Sequence, residues 1–169
     1  MDRDGVINRN RSDYVKQWGE LELIPGALEA IAFISSSGRD LIVLTNQSAI
    51  ARRLVTTETV DDIHKRLAAL VAARGGSIKA FLVCPHAPED RCHCRKPAPG
   101  LFFRAQDELQ VNLANAVMIG DQITDVEAAN SAGCDAILID PSRTVPLSSN
   151  LECTVVSNIA EAAQVVCQK

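Results

Sequence analysis

The chain has 169 residues, 47% apolar and 22% charged, a size and balance that fit one globular domain, residues 1–169, with its own core. Its net charge of −4 gives no general attraction to nucleic acid or acidic membrane surfaces. No segment approaches the roughly 18 apolar residues of a membrane span, and the charged start Met1-Asp2-Arg3-Asp4 is unlike a secretory leader. A cytoplasmic monomer without nucleic-acid or membrane partners is therefore expected.

In chain order, Asp2 and Asp4 come first, followed at once by Gly5. Alternate strand residues point to opposite sides, so these carboxylates meet only if the backbone turns, which Gly5 permits. Residues 9–23 are polar, hold the only Trp and the only Tyr, and read as a loop over a crevice. A helix is predicted over 25–36, with Pro25 in its first turn and Gly38 past its end. Residues 41–44 read as a buried strand ending at Thr45-Asn46. A helix over 57–74 stops at Gly75, and a strand over 80–83 ends at Cys84. Pro99 opens a helix over 99–109. A third strand, 116–119, ends at Gly120-Asp121, and a helix over 124–132 stops at Gly133. A strand over 136–139, a short edge strand over 154–156 and a helix over 159–167 complete the chain. This alternation predicts an α/β fold: a Rossmann-like parallel sheet with helices on both faces. Thr45-Asn46, the Cys84 loop and Asp121 all follow strand ends, the edge where such sheets form their ligand crevice.

Three constellations carry chemistry. Asp2 and Asp4, with Asp121 and Asp125 downstream, would put several carboxylates at one sheet edge. Alone, Asp-x-Asp reads as a solvated terminus. Together, the four would repel without a cation, and hard oxygen ligands suit Mg²⁺. Thr45-Asn46-Gln47-Ser48 offers a hydroxyl and backbone N–H groups that can hold phosphate oxygens, though Thr-Asn is also common at plain turns. Lys96 offers a compact cation to a phosphoryl group; by itself it reads as a surface lysine. The third constellation is Cys84, His86, Cys92 and Cys94, three thiolates and an imidazole in C-x-H-x5-C-x-C spacing. That is a full tetrahedral set for a structural Zn²⁺, with His93 the alternative nitrogen ligand. Cys134, Cys153 and Cys167 read as small apolar packing residues.

In order and interval, Asp2-Arg3-Asp4-Gly5, Thr45, Lys96, and Asp121 with Asp125 resemble the four motifs of the haloacid dehalogenase superfamily of phosphotransferases. Within it, Asp-Arg-Asp-Gly-Val-Ile-Asn, Thr45 to Ser48 with Ile50-Ala51-Arg52, and the Cys-x-His…Cys-x-Cys-Arg-Lys-Pro block resemble the heptose 1,7-bisphosphate phosphatases. Histidinol-phosphate phosphatases are the related group, usually with Thr-Leu where this chain has Val6-Ile7. The resemblance implies attack by Asp2 on phosphorus and proton transfer by Asp4. It implies Mg²⁺ on Asp2, the Asp4 carbonyl and Asp121, and phosphoryl stabilisation by Thr45 and Lys96. Asp125 would orient Lys96 or the metal's water shell, and Arg95 would recognise the distal phosphate of a sugar bisphosphate. Asn10, Asp13, Tyr14, Asn46, Gln47 and Ser48 would contact the sugar. No separate cap domain is expected.

Three departures from that pattern stand out. Ala49 and Arg53 replace usual glycines; where positive φ is needed, a side chain costs about 1 kcal/mol. The strand that delivers Asp2 in this fold, about 5–6 residues long, has no counterpart in the chain and is expected ahead of Met1. A histidinol-phosphate or less specific sugar phosphatase is the rival enzyme. A catalytically silent, zinc-stabilised binding module is the rival of another class.

Overall fold

A computed structural model describes residues 1–145 and 150–168. Strands β1 (Ile42–Asn46) and β2 (Ala80–Cys84) pair in parallel, Ile42 against Ala80 through Asn46 against Cys84. Strands β3 (Val117–Gly120), β4 (Asp135–Ile139) and β5 (Thr154–Val156) form a second parallel set in that order. Helices α1 (Ala27–Ser36), α2 (Thr57–Ala72), α3 (Gly100–Leu109), α4 (Ile123–Ser131) and α5 (Ile159–Gln168) alternate with them.

The near-continuous apolar strands follow from burial on both faces. Val43, Ile119, Ile137 and Val156 face one core with α1, α2 and α5. Their neighbours Leu44, Met118, Ala136 and Leu138 face a second core with α3 and α4. The layered α/β architecture expected from the alternation is the one observed. Cys134, Cys153 and Cys167 pack in or against these cores as free thiols. Among the described residues, no helix is long and apolar enough to cross a membrane.

Element ends differ slightly from expectation. Helix α1 begins at Ala27, because Gly26 adopts φ +82° as its N-cap and keeps Pro25 outside. Pro99 is likewise the cap of α3 rather than its first residue. The side chain of Thr56 accepts from the Thr59 amide and starts α2.

No named strand lies between β1 and β3 among the described residues. Met1 and Asp2 join the two sets instead. The Leu44 amide donates to the Met1 carbonyl at 2.9 Å, the Met1 amino group donates to the Ile42 carbonyl at 2.7 Å, and the Asp2 amide donates to the Ile119 carbonyl at 2.8 Å. These bonds put Met1-Asp2 in the line of a central parallel strand. Beside Met1 lies a cavity of about 310 Å³ lined by Leu41, Leu44, Phe102, Val117 and Ile119.

His64 on α2 is one of the buried titratable residues. Burial, then the Arg3 charge, hold its imidazole down at about 3, with Asp4 opposing. The unfolded chain takes up this proton near pH 6.5 while the folded chain does not, so the contribution of His64 to stability is lost as pH drops from 6.5 towards 3, opposite in sign to that of the raised Asp2 carboxyl. The shift corresponds to at most about 5 kcal/mol. Urea unfolding of the wild type and His64→Phe across this window should give a flatter pH dependence for the variant. Parallel curves would contradict the assignment.

Candidate active site at the carboxyl edge of the sheet

The C-terminal ends of β1 and β3 flank Asp2 and open into a cleft of about 350 Å³. After Asp4 the chain turns sharply: Gly5 has φ +84°, and a Cβ there would lie 2.1 Å from Asp121 Oδ2. Glycine is thus required both by the turn and by the close approach of Asp121. The turn folds back further, with the Ile7 and Asn8 amides donating to the Arg3 carbonyl at 2.8 and 3.1 Å.

Asp2 is buried at the base of the cleft. Lys96 Nζ lies 3.0 Å from Asp2 Oδ1 and 2.6 Å from Asp125 Oδ1, and donates to the Leu44 carbonyl at 2.8 Å. Lys96 is buried too, yet the Asp2 and Asp125 carboxylates hold its pKa above the usual lysine value. Burial pushes Asp2 up to about 7, with Asp125 and Asp4 adding to the rise and Lys96 opposing it. Breaking such a buried ion pair costs roughly 3–5 kcal/mol, so Lys96 holds the fold as well as the site.

Asp4 stands nearer the mouth. Arg3 Nη2 donates to both its oxygens at 3.0 and 2.9 Å, Asn8 Nδ2 to Oδ1 at 2.8 Å, and Gln47 Nε2 to Oδ2 at 2.7 Å. Burial alone would raise Asp4, but the Arg3 charge and these hydrogen bonds outweigh it and hold the carboxyl below its usual range. Gln47 also donates to Thr45 Oγ1 at 2.8 Å, fixing the threonine hydroxyl beside Asp4. Asn46 bridges to the next segment, donating to the Lys96 carbonyl at 3.1 Å and accepting from its amide at 3.2 Å.

Asp121 follows β3, with Asp125 one turn into α4. Asp2, Asp121 and Asp125 can each bring one oxygen within 4.8 Å of the others. Asp121 Oδ1 is buried with no protein donor, and burial raises this carboxyl, partly offset by a hydrogen bond from Gln122. A buried, unsatisfied oxygen among carboxylates fits a hard dication.

The sequence-predicted residues Asn10, Tyr14, Thr45, Asn46, Gln47, Ser48, Arg95, Lys96, Asp121 and Asp125 line this cleft with Asp2 and Asp4. Asp13 is not brought into it: its carboxylate pairs with Arg11 and Lys16 on the exposed side of the loop. Arg3, Arg11, Arg52, Gln122 and Thr124 also line the cleft and were not singled out as site residues. Arg3 and Arg52 sit inside the motif blocks, so their position was the available signal. Arg11 is carried over by the 9–23 loop, which the sequence places over a crevice.

Cys84, His86, Cys92 and Cys94 converge beside the cleft. Cys94 Sγ is 3.2 Å from Cys84 Sγ and 3.5 Å from Cys92 Sγ, and His86 Nδ1 is 3.3 Å from Cys94 Sγ. These sulfurs are too far apart for disulfides, whose bond is about 2.05 Å. His93, the alternative ligand, is not part of the cluster. Arg95 follows directly, its Nη1 donating to the His86 carbonyl at 3.3 Å.

Residues 93–161 match a HAD-hydrolase-like family model. A D-glycero-beta-D-manno-heptose-1,7-bisphosphate 7-phosphatase of Pseudomonas aeruginosa is 41% identical over 145 residues, 86% of this chain and 82% of its own length. The chain belongs to the heptose-1,7-bisphosphate 7-phosphatase family of HAD-like hydrolases. A member from Mycobacterium bovis, named for the alpha anomer, is 36% identical over 140 residues, 80% of this chain and 73% of its own. The solved D,D-heptose 1,7-bisphosphate phosphatase of Bordetella bronchiseptica, complexed with magnesium and phosphate, superposes with a TM-score of 0.89 at 34% identity. That superposition covers 99% of this chain and 96% of the Bordetella chain.

Against the family's glycines, the two substitutions behave differently. Ala49 is fully buried and is not among the residues with positive φ. Arg53 does adopt a left-handed conformation, φ 56°. The backbone cost of about 1 kcal/mol therefore falls at Arg53.

Proposed function

We propose that the chain is a Mg²⁺-dependent phosphatase that removes the 7-phosphate of D-glycero-D-manno-heptose 1,7-bisphosphate through an aspartyl-phosphate on Asp2. The observation that carries the reading is the convergence of Asp2, Asp4, Thr45, Lys96 and Asp121 in one cleft. Asp2 is the nucleophile: a carboxylate oxygen attacks phosphorus, and the bond to the sugar oxygen breaks. Asp4 is the proton-transfer group. Its hydrogen bonds keep it ionised in the free site, so it takes up a proton from the incoming phosphate monoester or solvent, passes it to the sugar oxygen, and recovers one from the water that attacks the phosphoenzyme. Lys96 and the Thr45 hydroxyl stabilise the phosphoryl oxygens, the main catalytic task in such transfers.

Asp2, Asp121 and the Asp4 backbone carbonyl would hold Mg²⁺, which supplies charge neutralisation at the phosphoryl group. Asp125, in contact with Lys96, keeps the lysine charged and aimed at Asp2. Arg95 binds the distal phosphate; Arg52, paired with Glu89, and Arg11, paired with Asp13, also line the cleft. Asn10, Tyr14, Asn46, Gln47 and Ser48 contact the sugar. The Cys84, His86, Cys92, Cys94 set would hold a structural Zn²⁺, since all four ligand positions come from the protein. Burial pushes the Cys84 thiol up, and a bound dication would reverse that by favouring the thiolate.

The test is phosphate release with Mg²⁺ from the alpha and beta heptose bisphosphates and from histidinol phosphate. Faster turnover of one heptose bisphosphate is expected. Preference for histidinol phosphate would overturn the substrate assignment. No release from any ester would favour a silent binding module.

A further inference from the structure

One side chain reaches the site's machinery from outside the cleft. His64 lies on α2, buried, with its ring stacked on Phe81 of β2 at a centroid distance of 4.3 Å and an interplanar angle of 10°. It is absent from the cleft lining. Its Nε2 is 3.1 Å from Arg3 Nη1. A guanidinium only donates, so Nε2 is the acceptor and the ring proton sits on Nδ1. The other terminal nitrogen of Arg3 donates to both oxygens of Asp4, at 3.0 and 2.9 Å. Arg3 itself is 1% exposed, and its Nε has no hydrogen-bond partner.

The guanidinium is therefore pinned at its two ends by different partners. Asp4 alone fixes one nitrogen; His64 fixes the other and with it the plane of the group. Asn8 and Gln47 complete the grip on Asp4 from the far side, so the angle of its carboxylate depends on where Arg3 is held. We propose that His64 is a positioning residue that, through Arg3, holds the Asp4 carboxylate in the orientation for proton transfer. This rests on the reading of Asp4 as the proton-transfer group. A merely structural His64 would matter only for its stack on Phe81.

A crossed pair of variants separates the two roles. His64→Phe keeps an aromatic ring on Phe81 but offers Arg3 no acceptor. His64→Gln places an amide near the Nε2 position but loses the stack. Steady-state kinetics on the heptose bisphosphate should show kcat lowered about 10–100-fold in His64→Phe with KM nearly unchanged, the scale expected for a small misplacement of a reacting group. His64→Gln should keep kcat within about threefold of wild type. Loss in His64→Gln, equal kcat in both variants, or a change confined to KM would overturn the proposal. The nitrogen-15 spectrum of the wild type gives a readout independent of turnover: His64 should carry its proton on Nδ1, and protonation on Nε2 would also overturn it. A wild type without phosphatase activity sinks the phosphatase reading, and the positioning role with it. An active wild type with the wrong crossed pattern sinks the positioning role alone.

Discussion

Replacing Asp2 with asparagine should lower kcat by roughly 10⁴-fold or more, the scale seen when a covalent nucleophile is removed. Asparagine keeps the shape of the side chain but cannot form an acyl phosphate. The fold should survive, for two physical reasons. Lys96 retains Asp125 as a partner at 2.6 Å, so no buried cation is stranded. Burial already raises the Asp2 carboxyl to about 7, so a neutral amide costs the core little. The melting temperature should therefore move by no more than a few degrees while turnover vanishes. Turnover within tenfold of wild type would remove Asp2 from the chemistry.

The second large effect concerns zinc. Structural zinc binds small folded modules with an apparent ~10–16 kcal/mol, against a total stability of about 5–15 kcal/mol for an ordinary domain. Even about 4 kcal/mol lost would lower the melting temperature by about 8–16 °C in a chain of this length. Strong chelation, or Cys94→Ser, should therefore lower it by about 10 °C or more. The loss should extend to the cleft, because the loop that carries the ligands also carries Arg95 and Lys96. Added Zn²⁺ should restore the chelated protein, whereas Mg²⁺ alone should not. An unchanged melting curve after chelation would contradict a structural zinc.

Much of this was legible in the chain because the motifs are local. Each strand is a short apolar run ended by a polar residue, and the sheet's geometry then puts those ends together. The four soft ligands fall within eleven residues, 84–94, so their convergence needed no knowledge of tertiary structure. The residues without a local signal depend on longer paths. Asp13 was expected against the sugar, but its neighbours Arg11 and Lys16 hold it outward. Arg11 enters the cleft only because the 9–23 loop crosses it. His64 reads as one more residue of an amphipathic helix; only the packing of α2 against the turn after Asp2 gives it Arg3 as a partner. Ala49 and Arg53 looked alike as replaced glycines, yet only the φ of Arg53 carries the strain.

The central claim is covalent phosphorylation of Asp2. The most direct measurement is to quench a turning-over sample rapidly, reduce it with borohydride, and sequence the N-terminal peptide by mass spectrometry. An aspartyl-phosphate is reduced to homoserine, so homoserine at position 2 is the predicted result. An unmodified Asp2 in a sample that releases phosphate, or homoserine at Asp4, would contradict the account.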